Sequence, residues 1–414
     1  MQLFSIRLGL VLATIALAGC VPEALVPSGD QESGVLDTVL AATENSPEAN
    51  DNAADSYETP VSDDAPPPSE SSRTFSGSVS GSGDYRLFEL GGGSPGDEWV
   101  VSLGSTLSGP FVVVLLDAEQ NLLMRSYMSY HNPLEHVLRA ASGHVYLGVM
   151  APMSGGGGDF ELNASFNNGQ RVAAPVQQVV WLNFGSGNRV QVHHRDPISF
   201  APFDAAMVGE AYAGHTQEIK DHILEEMRAD YAAYNVVILN SDDGPPPEGS
   251  HSVIHFGGSE SGLLGLADNV DDYNQDLAQN AIIYVENFAP YWTMQLEPDE
   301  MAVMIANVAS HELGHLLGLY HTRDPDDLMD TTGSAWDLAE NQSFSRGPLE
   351  PSVFATGWED SPCLLKQIVG PNPDGAKSTS RAKSAKELVY RAIRRFAQEE
   401  LDRKKDAYLR SSGG

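Results

Sequence analysis

The chain has 414 residues, enough for two or three domains, with 24 Lys or Arg against 57 Asp or Glu and a formal net charge of −33. Charge of that sign argues against nucleic acid and anionic lipid as partners. Only two cysteines occur, Cys20 and Cys363, which excludes a disulfide framework.

Residues 1–19 have the form of an export signal. Arg7 supplies the positive end, and the apolar run from Leu8 to Leu17 is too short to stay in a bilayer as a spanning helix. The run closes on Leu17-Ala-Gly-Cys20, which resembles a bacterial lipobox. The resemblance implies cleavage before Cys20 and lipid on its thiol and new N-terminus, and several acyl chains anchor a protein stably. Val21 stands where Asp would imply inner-membrane retention, so the implied address is the bacterial cell envelope, at the outer membrane or cell surface. Lipidation would leave Cys363 unpaired, as a half-buried structural thiol.

Residues 20–72 carry twelve Asp or Glu and no Lys or Arg, mixed with Pro, Ser, Ala and Asn. Such a stretch cannot bury enough apolar surface to fold, and its like charges extend it. It is expected to be an acidic disordered tether.

From 73 to 168 short runs of strand formers recur between Gly-rich turns: Tyr85 to Leu90, Trp99 to Leu103, Phe111 to Leu116, His144 to Val149 and Phe160 to Ala164. Regular short strands with turn signals predict an all-β sandwich. Gly96-Asp97 before one strand, Leu115-Leu-Asp117 after another and the closing Gly158-Asp-Phe-Glu-Leu162 resemble the pre-peptidase domains that accompany secreted bacterial proteases.

Asn167 to Ala174 is a linker, and an α/β domain of mixed sheet plus helices is expected over 175–370. Val179 to Phe184, Val236 to Leu239, Ser252 to Phe256 and Ala281 to Glu286 are its predicted strands. Apolar residues at helical intervals (Ile219, Ile223, Met227, Tyr231) predict a long helix over Glu210 to Ala233. A second helix is expected from Pro298, a favoured first-turn residue, to about Leu317, with Asp299 and Glu300 suiting its positive end.

That second helix carries the chemistry. His311-Glu-Leu-Gly-His-Leu-Leu-Gly-Leu-Tyr-His321 contains H-E-x-x-H, a Gly three residues on and a third His three beyond. Two His at i and i+4 share one helix face and can grip one ion together. Gly318 can turn left-handed and stop the helix, so that the chain doubles back and presents His321. Three imidazoles with an open fourth position describe a catalytic zinc site. Glu312 lies where it can reach water at the metal and serve as general base. Five fixed positions coincide by chance on the order of once in ten thousand chains of this composition, which outweighs the bland reading of histidines lining a buried helix.

Met329 follows the third His by eight residues, with Pro325 midway. This pattern resembles the metzincin zinc metallopeptidases, and the Pro and Met spacing is most similar to the matrixin branch. The resemblance implies one catalytic Zn2+ held by His311, His315 and His321, and Met329 as an apolar floor that does not ligate. It also implies protein or peptide substrates. Gly262 to Ala267 falls where the family places its edge strand, so Leu264, Gly265, Leu266 and Ala267 are expected to pair with an extended substrate. The stretch from Met329 to Gly370 is expected to wall the cleft. Thr322 departs from the Ser usual in matrixins, and no cysteine-switch propeptide is present. Thr331 stands where astacin-like relatives carry a ligating Tyr.

Asp242, Asp243, Asp268, Asp271, Asp272 and Asp276 crowd neighbouring loops. Oxygen-rich loops can hold Ca2+, yet none matches a defined calcium motif, and solvated acidic loops are the weightier expectation. His193, His194, His251 and His255 show no pattern for a second zinc. Residues 376–414 carry eleven Lys or Arg against five Asp or Glu, with Leu388, Val389, Ala392, Ile393, Phe396 and Leu401 on one stripe, predicting a basic amphipathic helix. The expected whole is a membrane-anchored zinc endopeptidase. The alternative is a non-catalytic surface lipoprotein that binds a polymer or matrix through its β-sandwich.

Overall fold

The computed structural model describes residues 72–107, 109–128 and 133–374. The export signal with Cys20, the tether up to residue 71 and the basic tail from 376 lie outside the described residues. No helix among the described residues is long and apolar enough to cross a membrane.

The chain divides into two compact units, a β unit and, from Arg171 onward, an α/β unit. The β unit contains β1 (Ser72–Ser80), β2 (Tyr85–Gly93), β3 (Glu98–Leu107), β4 (Val112–Leu116), β5 (Leu122–Tyr127), β6 (Leu134–Val137), β7 (Ser142–Met150) and β8 (Gly157–Asn167). They form two four-stranded sheets, ordered β1-β8-β3-β6 and β2-β7-β4-β5. The arrangement is sandwich-like, with Trp99, Phe111 and Phe160 among its fully buried side chains. Burying each such side chain contributes about 1.5–3 kcal/mol. Three of these strands carry no signal that pattern reading finds. β1 holds only Phe75 and Val79 as large apolar residues among Ser, Thr, Arg and Gly, and is fixed by nine paired positions along β8.

The α/β unit is a five-stranded sheet ordered β12-β9-β13-β15-β14: β9 (Gln178–Asn183), β12 (Val236–Asn240), β13 (Ser252–Phe256), β14 (Gly265–Ala267) and β15 (Asn280–Ile283). The first four in that order run parallel, and β14 closes one edge antiparallel to β15. Val180, Leu182, Ile238, Ile254 and Phe256 alternate onto one face and meet the helices there. The short hairpin of β10 (Gly187–Val190) and β11 (Ile198–Phe200) packs Phe200 and Ile198 with Leu266, Ile282 and Tyr284 in a separate cluster.

Helix α1 (Thr216–Asp230) buries Ile219, Ile223 and Met227, one residue per turn. It is shorter than the Glu210 to Ala233 pattern predicts. Gly214 takes φ +88 and Glu210–Tyr212 forms a separate 3-10 turn, so the apolar rhythm crosses a break that only glycine makes cheap. Helix α2 (Pro298–Leu316) has Pro at its first turn and a capping box between Glu297 and Glu300. Every residue from Met301 to Leu316 is buried, so α2 runs through the core. α3 (Ala335–Leu338) and α4 (Ser361–Ile368) follow, with the pair β16 (Arg346–Pro348) and β17 (Trp358–Asp360) between them. Cys363 on α4 is exposed, which corrects the half-buried expectation: Leu364, Leu365 and Ile368 take the inward face of that helix.

Candidate metal centre

The helix that carries His311 and His315 ends where a left-handed residue lets it. Gly318 has φ +93, its N–H donates to the His315 carbonyl at 2.9 Å, and Leu319 N–H donates to the Gly314 carbonyl at 2.9 Å. These two bonds make a Schellman stop. A Cβ at Gly318 would lie 2.6 Å from the Asp271 carbonyl, so the tight approach of the neighbouring loop also requires glycine. The chain then reverses and brings His321 back to the helix.

The three imidazoles converge. His315 Nε2 lies 3.0 Å from His311 Nε2 and 3.0 Å from His321 Nε2. His311 Nδ1 stands 2.7 Å from the Leu328 carbonyl and His315 Nδ1 2.8 Å from the Leu319 carbonyl. A carbonyl only accepts, so each Nδ1 carries the hydrogen and each Nε2 of a neutral ring offers a lone pair. Burial pushes His311 down to about 4, and burial followed by the neighbouring His311 pushes His315 down to about 3. Both rings are therefore neutral at neutral pH, the form that ligates a metal. Lone pairs facing one another at 3.0 Å repel unless a cation lies among them. The donor set and its spacing suit a small tetrahedral cation such as zinc. Among the described residues this is the one group of three His, Cys, Asp or Glu side chains close enough to share an ion.

Glu312 is 1 % exposed and lies against β14. Its Oε1 would be 2.5 Å from a Cβ at Gly265, and the carboxylate accepts a hydrogen bond from the backbone of Ala267. Burial drives its pKa well above the usual carboxylate range, with that hydrogen bond opposing. Its Oε2 is buried and has no hydrogen-bond partner among the described residues. That buried oxygen, on the helix that carries His311 and His315, is one of the few buried polar side-chain atoms left unpaired among the described residues. β14 is the sheet's terminal strand, so Gly265, Leu266 and Ala267 pair with β15 on one side only, and Leu264 precedes them.

Met329 is fully buried beneath the helix, where a Cβ at Gly314 would come within 2.5 Å of its sulfur. The turn that holds it depends on Asp327, which pattern reading misses. This buried carboxylate accepts from Thr322 Oγ1 at 3.0 Å, and from Met329 N–H and Ser345 N–H at 3.3 Å each. Burial pushes Asp327 up to about 7 against those hydrogen bonds. It sits in the acidic run Asp324-Pro-Asp-Asp327, where composition alone suggests solvated charge.

The other singled-out residues do not join the centre. Asp268 accepts from His193 N–H and Asn280 N–H at 2.7 Å each, and Asp271 accepts from Asp276 N–H and Gln279 at 2.8 Å each. Lys220 and Gln217 reach Asp242, and Asn240 reaches Asp243. Those carboxylates are engaged within the protein rather than converged on a common point. His255 is buried beside Asn183 and Asn280, and burial lowers its pKa.

Comparison with known proteins finds one family model that matches this same segment. The family model described as Matrixin matches residues 242–343, which span β14, the three imidazoles and Met329. No curated protein matches the chain. Among solved structures, archaemetzincin from Methanopyrus kandleri is 13% identical, with 47% of this chain and 96% of that chain covered and a TM-score of 0.26. The periplasmic lysozyme inhibitor PliG of Aeromonas hydrophila is 14% identical, with 24% and 87% covered and a TM-score of 0.19. Neither likeness is close enough to carry an argument. The matrixin match and the histidine cluster fit a metzincin-like zinc metallopeptidase domain.

Proposed function

We propose that the chain is a zinc-dependent endopeptidase held at the bacterial cell envelope by lipid on Cys20. The observation that carries the catalytic part is the convergence of three imidazoles at the helix that also holds the unpartnered oxygen of Glu312. His311, His315 and His321 would hold the ion. Zinc bound there would supply Lewis acidity, which polarises a carbonyl and lowers the pKa of bound water toward neutrality.

The chain's own residues do the rest. β14 offers its free edge to an extended peptide, and backbone pairing would align the scissile bond with the helix. Glu312 takes a proton from the attacking water on Oε2 as the carbon–oxygen bond forms. It then gives that proton to the leaving amine as the carbon–nitrogen bond breaks. The Ala267 hydrogen bond keeps the group pointed at the edge strand. Met329 closes the floor against water. No calcium enters this reading, because the acidic loops satisfy their carboxylates internally.

Incubation of the purified mature protein with a peptide library, with zinc and then with a chelator, tests the proposal. Cleavage of extended peptides that stops on chelation and returns with zinc is the expected result. Zinc-replete protein that cuts no peptide would move the reading to a binding lipoprotein. Release of the protein from membranes by Cys20→Ser tests the anchor separately.

A further inference from the structure

Thr322 follows the third imidazole, and the proposed chemistry makes no use of it. Its side chain is fully buried, and Oγ1 donates to Oδ2 of the equally buried Asp327. The other oxygen of that carboxylate takes Met329 N–H and Ser345 N–H. Thr322 N–H donates in turn to the Met329 carbonyl at 2.8 Å, and Thr331 N–H to the Thr322 carbonyl at 3.2 Å. The chain between Thr322 and Met329 is thus closed on itself through one side-chain pair and the backbone.

Two ligands hang on that closed turn. His321 is the residue before Thr322. Leu328, between Asp327 and Met329, aims its carbonyl at His311 Nδ1. The space is kept for this arrangement: a Cβ at Gly347 would lie 2.9 Å from Thr322 Cβ and 3.0 Å from Asp327 Oδ2. A turn fixed in this way holds one ligand in reach and sets the ring orientation of another.

We propose that Thr322 and Asp327 form a positioning pair for the metal centre, setting zinc affinity through His321 and through the Leu328 carbonyl on His311. The inference rests on the zinc reading above. Loss of either partner leaves a buried polar group unpaired and frees the turn, and partners that orient metal ligands typically contribute about ten- to a hundredfold in affinity.

The test is zinc affinity of the full-length protein, measured by competition with a chromogenic chelator, together with melting of the metal-free form. Thr322→Ser keeps the hydroxyl and should bind zinc as wild type does. Thr322→Val keeps the shape without the donor and should bind about ten- to a hundredfold more weakly. Asp327→Ala should do the same, and Thr322→Val with Asp327→Ala should lose less than the two single losses combined. Folded Thr322→Val protein that binds zinc as tightly as wild type overturns the pair. So does a lowered melting temperature with unchanged affinity, which would mark the contact as structural alone. Wild type that binds no zinc overturns the metal reading itself, a result distinct from the other two.

Discussion

Gly265 of the edge strand lies so close to Glu312 of the ligand-bearing helix that a Cβ would sit 2.5 Å from Oε1. The atom to be displaced is the end of a flexible side chain, yet it is buried and has little room. Gly265→Ala should therefore fold and bind zinc while turning the carboxylate away. Misplacement of a catalytic group by about 1 Å costs about a hundredfold. Steady-state kinetics should show the loss in kcat, and unchanged kcat would mean that Glu312 does not need its present orientation.

Glu312→Gln keeps the shape and the Ala267 contact but cannot carry the proton. Turnover should drop by about 10²–10⁴-fold with zinc content unchanged. Hydrolysis at the wild-type rate would remove the assigned base.

Gly314 owes its identity to Met329 rather than to helix propensity. Ala in a helix interior is about 1 kcal/mol better than Gly. Here its Cβ would lie 2.5 Å from a fully buried sulfur, and overpacking of this kind costs about 1–3 kcal/mol. Gly314→Ala should lower the denaturation midpoint, and adding Met329→Ala should recover part of the loss. A midpoint raised by Gly314→Ala would show that the floor is not packed as described.

His136 gives the β unit a signature in acid. It is 5 % exposed, and burial, then Arg139, push it down to about 4 from 6.5. A base whose folded pKa is depressed is held neutral by the fold, so its stabilisation is whole above pH 6.5. That stabilisation falls away as pH drops toward about 4, at up to about 1.4 kcal/mol per unit. Packing changes in His136→Leu add an offset that does not vary with pH. The gap in unfolding free energy between the variant and wild type should therefore shift in the variant's favour between pH 7 and pH 4. A gap constant across that range would place the imidazole in contact with solvent.

Much of this arrangement is legible from sequence because side-chain identity carries it. Histidines at fixed intervals declare a shared helix face, Gly318 declares the stop, and Pro298 with Glu300 declares the start. What escapes is carried by backbone atoms or by context. The carbonyls of Leu319 and Leu328 that set the two imidazole tautomers belong to residues whose names say only that they are apolar. Asp327 resembles its solvated neighbours until the fold buries it. β1 is polar along most of its length and becomes a strand by pairing with β8, a tertiary effect that overrides its weak alternation. Gly214 interrupts a helical rhythm that continues on both sides of it.

The central claim is that His311, His315 and His321 share one catalytic ion. Elemental analysis of the purified full-length chain, loaded with zinc and then dialysed against metal-free buffer, tests it most directly. One zinc per chain is predicted for wild type and for Glu312→Gln, with almost none when the three histidines are replaced by alanine. Well-folded wild type without stoichiometric metal, or a triple variant that retains it, would contradict the account.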